Sequence, residues 1–236
     1  HDPFDPPAEY GEKYRNADMP QHVSDDLTGK PQYVKDRVID ATPEKISEIR
    51  RQYCAATELI DDQIGNIINA LEQRGMLDNT YIIFASDHGE MLGDHGLYQK
   101  SAPYEPSLHV PLIVAGPGIT GGQTSDALVE LNDINPTICE MADVPTLTNI
   151  DAKSFVPVLK NESKSHRTET ISTIRIFQCI RTSRYKFIDN INDINELYDL
   201  IEDPNELNNI ADKHPEWVSE LSRRLKDRLT EGTWHH

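Results

Sequence analysis

Positive charge, paired cysteines and long apolar runs are all scarce in this sequence, and each shortage removes a class of function. Against 40 Asp and Glu there are 23 Lys and Arg, giving a formal charge of −17. Nucleic acids and anionic membranes are bound mainly through Lys and Arg that neutralise phosphate, so neither is expected as a partner. The three cysteines, Cys54, Cys139 and Cys179, are too few and too irregularly spaced for a disulfide framework or a zinc site. They read as buried thiols. No stretch of about 18 uninterrupted apolar residues occurs, so the segment contains no membrane span. What remains is 37% apolar content over 236 residues, enough for one large or two small cores.

The most informative stretch is YIIFASDHGEMLGDHGLYQKSAPYEPSLHVPLIVAGP, residues 81–117. Tyr81 to Ala85 is an apolar, β-branched run that reads as a buried parallel strand, and such strands deliver polar residues to ligands at their carboxyl ends. Asp87 and His88 stand at that end. Their side chains would ordinarily point to opposite faces, but a turn starting there lets both converge on one ion. Gly89 and Gly93 suit tight turning, and Lys100 places a cation on the same loop, suited to an anionic substrate. At roughly 8 Å of screening, local charge can outweigh the acidic surface for such a substrate.

Around this stretch the chain alternates helix and strand. Thr42-Pro43-Glu44 combines an N-cap residue, proline at the first helical position and an early acid. Apolar residues from Ile46 to Leu71 follow at spacings of three and four, and Gly75 supplies the stop, predicting one long amphipathic helix packed on the sheet. Asp61-Asp62 reads as its solvated face. Residues 1–40 read as irregular. A second strand is expected at 110–115 and a helix from 135 or 136 to about 142, with Asp133 near its start. From 168 to 199 come four short β-like runs, then an amphipathic helix from Pro215 to about Thr230 with Trp217, Val218, Leu221, Leu225 and Leu229 inward. The texture changes near Lys160, so a boundary is expected there: 1–160 as an α/β portion, 161–236 as a small antiparallel sheet with a packed terminal helix.

Taken together, the 81–117 stretch, the upstream YCAATELIDDQIGNIINALEQRGMLD, the closing ELYDLIEDPNELNNIA and the opening HDPFDPPAEY resemble the sulfatase family of the alkaline-phosphatase superfamily. The resemblance covers almost the whole chain. It implies an α/β fold, the C-terminal half of an alkaline-phosphatase-like domain followed by a small α+β subdomain. The family's first Asp-Asp pair and its Cys/Ser-x-Pro-x-Arg nucleophile motif do not appear, so the chain is expected to be the C-terminal half of a longer enzyme and inactive alone.

The resemblance further implies a sulfuric ester hydrolase with a formylglycine nucleophile on the missing N-terminal half. Asp87 and His88 would be metal ligands, and His1 and Lys100 would bind the sulfate and assist the leaving group. Calcium is the family's usual ion; a histidine in place of the usual amide leaves Mn2+, Mg2+ or Zn2+ open. Gln99-Lys100 departs from the more usual Gly-Lys. His95 is expected to brace the loop and His109 to be structural. The implied partners are a carbohydrate or aryl sulfate ester and the N-terminal half of the same enzyme, in a periplasmic, secreted or cytoplasmic setting. The rivals are a phosphodiesterase or phosphonate monoester hydrolase of the same superfamily, and a non-catalytic binding or scaffold domain.

Overall fold

The computed structural model describes residues 3–231. The chain forms two compact units, one from residues up to 27 together with 33–117, the other from 28–32 together with residues from 118 onward. The units divide at Gly118, whereas the change of texture near residue 160 marks the approach to a sheet inside the second unit.

In the first unit, α1 (Ala8–Tyr14) and, but for its first residue, the single turn α2 (Gln32–Lys35) interrupt an otherwise irregular segment ahead of the long helix α3 (Pro43–Gln73). Its 31 residues span about 46 Å at 1.5 Å per residue. The start is as the sequence predicts: Thr42 Oγ1 accepts the backbone N–H of Lys45 at 3.3 Å, and Pro43 opens the helix. Gly75 ends it at φ 64°, a conformation that suits a residue without Cβ.

The packing of α3 differs from expectation. Its main neighbour is α1, not the strands. Asp61 and Asp62 are both exposed, as expected of a solvated face, and Asp62 Oδ2 in addition accepts from Tyr10 Oη at 2.8 Å. Ile46 and Ala55 are buried, but Ile60 and Ile67 are 53% and 62% exposed, so much of the apolar stripe in the C-terminal half lies open.

β1 (Ile82–Ala85) and β2 (Leu112–Ala115) pair antiparallel, with Ile83 opposite Val114 and Phe84 opposite Ile113. This corrects the expectation of a buried parallel strand. An apolar run specifies a strand but not the direction of its partner, and here residues 86–111 carry the chain back to pair alongside β1. β1 is half-buried throughout, and Ile113 of β2 is 62% exposed. Within the intervening segment lies the short helix α4 (Glu105–Leu108).

The second unit begins with α5 (Ile134–Met141) and α6 (Val156–Leu159). It continues through β3 (Glu169–Ile174), β4 (Phe177–Thr182), β5 (Tyr185–Asn190) and β6 (Glu196–Asp199), an antiparallel meander in sequence order. α7 (Pro215–Glu231) closes it. Ile180, Phe187 and Leu197 point from the sheet onto Leu221 and Leu225 of α7, all at most 1% exposed. Burying each such side chain contributes about 1.5–3 kcal/mol. Val218 and Leu229 pack against the same cluster as expected. Trp217 does not: it is 38% exposed and tilts against Tyr185 at 4.9 Å between ring centres.

Two polar clusters pin this unit. Asp133 accepts from Arg167 Nε at 2.8 Å, His166 Nε2 at 3.0 Å and the backbone N–H groups of Glu130 and Lys153. Burial alone would raise its carboxyl pKa, but these hydrogen bonds outweigh burial and hold it below the usual range. Fully buried Lys30 donates to Tyr198 Oη at 2.8 Å and to the Glu206 carbonyl at 2.6 Å, while Lys186 meets Glu206 Oε1 at 2.7 Å. Such charges belong in a core only when paired in this way. Of the cysteines only Cys179 is buried; Cys54 and Cys139 are half-buried, and all three are free thiols. Among the described residues no helix is long and apolar enough to cross a membrane.

Candidate functional site

The candidate site lies in the first unit, where β1 ends and the chain turns at Ser86-Asp87-His88-Gly89. Ser86 Oγ donates to the His88 carbonyl at 2.7 Å, and Asp87 Oδ1 accepts the His88 N–H at 3.1 Å, folding the turn so that both side chains lie together. His88 Nε2 is 3.6 Å from Asp87 Oδ2. Its Nδ1 stands 2.8 Å from the Gly89 carbonyl, which can only accept, so Nδ1 carries a proton and Nε2 is the nitrogen that would serve a cation in the neutral ring. Asp87 is 86% exposed at its side chain, open to an ion from outside. A hard carboxylate oxygen beside an imidazole lone pair is a donor set that fits a divalent cation. Among the described residues no group of three or more His, Cys, Asp or Glu converges on one point, so the pair supplies two donors and no more.

Gly89 is required by a close approach. A Cβ there would sit 2.0 Å from the Pro106 carbonyl oxygen, because Gly89 N–H donates to Ser107 O at 2.8 Å and Glu90 N–H to Pro106 O at 3.0 Å. The loop is thus pressed onto α4. Residues 1–144 match the family described as Sulfatase, and residues 93–234 match the one described as N-sulphoglucosamine sulphohydrolase, C-terminal. The chain belongs to the sulfatase family.

Arylsulfatase K of Bos taurus is 35% identical over 210 residues, an overlap of 82% of this chain and 39% of that protein. Among solved structures, BT4656 in complex with its substrate D-glucosamine-2-N,6-O-disulfate is 32% identical, with a TM-score of 0.75 over 85% of this chain and 44% of that one. The phosphonate monoester hydrolase of Agrobacterium radiobacter is 29% identical, with a TM-score of 0.73 over 82% of this chain and 43% of that one. The chain spans about two fifths of the length of the curated relative it matches.

In this sulfatase chain the loop that follows Asp87-His88 contains three non-glycine residues in the left-handed region, Leu92 at φ 48°, His95 at 55° and Gln99 at 66°. Such conformations persist only where the surroundings enforce them. Arg50 of α3 donates to Leu92 O at 3.0 Å and to Asp94 Oδ1 at 2.7 Å. His95 is buried, donates Nδ1–H to Asp25 at 2.6 Å and stacks on Tyr104 at 4.6 Å, the bracing role expected of it. His109 pairs at the surface with Glu105 at 3.2 Å.

Lys100 follows Gln99 on this loop. Its carbonyl accepts Ser107 Oγ at 2.6 Å, and the guanidinium of Arg37 donates to the carbonyls on either side, Tyr98 O at 3.5 Å and Ser101 O. Ser107 therefore ties the Lys100 backbone to the Gly89 turn. His1, the other expected substrate contact, lies outside the described residues. Sequence reasoning missed Arg37, Glu90 and Ser107, which hold the loop by side-chain bonds to backbone. Only Glu90 had a legible signal, its place directly after Asp87-His88-Gly89.

Proposed function

We propose that this chain is the C-terminal portion of an enzyme that hydrolyses sulfate esters, most fittingly those of a carbohydrate. The observation that carries the reading is the Asp87–His88 pair at the end of β1, joined by way of Ser107 to the backbone of Lys100, in a chain of the sulfatase family. The sulfated glucosamine bound by a structural relative supports the substrate class.

Asp87 and His88 would hold a divalent cation, calcium by family resemblance, which polarises sulfate oxygens and the nucleophile. Lys100 would neutralise charge developing on the sulfuryl oxygens, and His1 would donate a proton to the departing alkoxide, its pKa range being suited to that transfer. The nucleophile, a hydrated formylglycine in this reading, belongs to the N-terminal half. That half would also cover the exposed Ile60, Ile67 and Ile113. The 236-residue chain alone would then not turn over substrate.

Similarity to a phosphonate monoester hydrolase favours one second reading, hydrolysis of a phosphonate or phosphate ester at the same site. Rates of the full-length enzyme on matched sulfate, phosphate and phosphonate esters decide between them. A kcat/KM highest on the sulfate ester supports the proposal; a preference for phosphonate by tenfold or more overturns it.

A further inference from the structure

We propose that Glu90 is a positioning residue for Lys100, acting through the strained backbone of Gln99. This rests on the sulfatase reading of Lys100 given above. Gln99 has φ 66°, a conformation unfavourable for any residue with a Cβ and one that glycine adopts freely. Both of its backbone polar groups are tied to the residues just past the Asp87-His88 turn. Its N–H donates to the carboxylate of Glu90, and its carbonyl accepts Met91 N–H at 3.0 Å. The bond to a carboxylate is the stronger kind. Glu90 itself is fixed, because its N–H donates to Pro106 O at 3.0 Å within the same loop-to-α4 seam that holds Gly89.

These bonds join two stretches of the loop, 87–91 and 98–101, into one frame. With Ser107 on the Lys100 carbonyl and Arg37 on the carbonyls of Tyr98 and Ser101, the backbone on both sides of Lys100 is restrained. Glu90 supplies the side chain of this frame that acts on the strained residue itself, beside the backbone bond from Met91. Without its acceptor, Gln99 would relax toward negative φ, and rotation of that peptide would re-aim the Lys100 side chain relative to Asp87 and His88. Where catalysis depends on an oriented charge, a displacement of about 1 Å costs up to roughly a hundredfold in rate.

The test uses the full-length enzyme with Glu90→Ala, Glu90→Gln, Lys100→Ala and Glu90→Ala/Lys100→Ala, reading kcat/KM on a sulfate ester, bound metal, and hydrogen exchange of the Gln99 amide. Glu90→Ala should lower kcat/KM by about tenfold or more, leave bound metal unchanged and speed exchange at Gln99. Glu90→Gln keeps an acceptor oxygen and should recover most of the rate and the protection. In the Lys100→Ala background, Glu90→Ala should have no further effect. An equal loss in both backgrounds, wild-type kcat/KM in Glu90→Ala, or loss of metal in it would overturn the proposal. If Glu90→Ala misfolds, adding Gln99→Gly removes the strain and should restore both folding and rate; recovery of folding without rate counts against positioning. A Lys100→Ala enzyme with wild-type turnover would sink the sulfatase role of Lys100 itself, whereas a large Lys100 effect beside a silent Glu90→Ala would sink only this proposal.

Discussion

His88 turns Nε2 toward Asp87 Oδ2, 3.6 Å away, while its Nδ1 is occupied by the Gly89 carbonyl. Nε2 is thereby the ring nitrogen that faces the carboxylate. Two adjacent residues of a strand would normally diverge; here Ser86 and the Asp87 side chain fold the turn that brings them together.

Gly89→Ala should damage this turn from behind. The new methyl would need the space of the Pro106 carbonyl, 2.0 Å away and part of the backbone, so the loop must lift from α4. Overpacking of this kind costs about 1–3 kcal/mol. The expected outcome is a lowered melting temperature together with weaker metal binding. A variant with unchanged melting and metal content would show that the seam between Gly89 and Ser107 is not rigid.

The Asp133 cluster predicts acid lability in the second unit. The folded pKa of Asp133 is depressed, so its contribution is present above its unfolded value of about 3.9 and is lost as pH falls through the folded value. Unfolding followed between about pH 5 and pH 2 should therefore show falling stability, with a shallower fall in Asp133→Asn. The same slope in both proteins would contradict the assignment.

Leu221→Ala should destabilise the second unit by about 2–5 kcal/mol, because Leu221 sits at the centre of the contact between α7 and the sheet. Trp217→Ala should cost less, since that ring is partly exposed. Chemical denaturation of both variants checks the order, and a larger loss at Trp217 would reverse it.

Where local chemistry decides an element, the sequence was enough. Thr42-Pro43 and Gly75 bound α3, the short β-like runs separated by turn residues along 169–199 give the meander, and the helical spacing after Pro215 gives its closing helix. The partner of β1 was not legible, because Ile82 to Ala85 would look the same in a parallel or an antiparallel pair. Nor was α1, whose seven residues follow a proline-rich run and are held by Tyr10 meeting Asp62, a contact 52 residues distant in sequence. At the site, Asp87, His88 and Lys100 stood out as residue types at a strand end. Ser107 and Arg37 did not, because bonds from a side chain to a distant carbonyl leave no periodic trace.

The central claim is that Asp87 serves the cation and Lys100 serves the substrate, and one paired measurement tests it: bound metal and sulfate-ester turnover in full-length Asp87→Ala and Lys100→Ala. Asp87→Ala should lose metal and activity together. Lys100→Ala should keep its metal and fold while turnover falls by about a hundredfold, roughly 3 kcal/mol of lost transition-state stabilisation. Wild-type turnover in Lys100→Ala, or full metal content in Asp87→Ala, would contradict it.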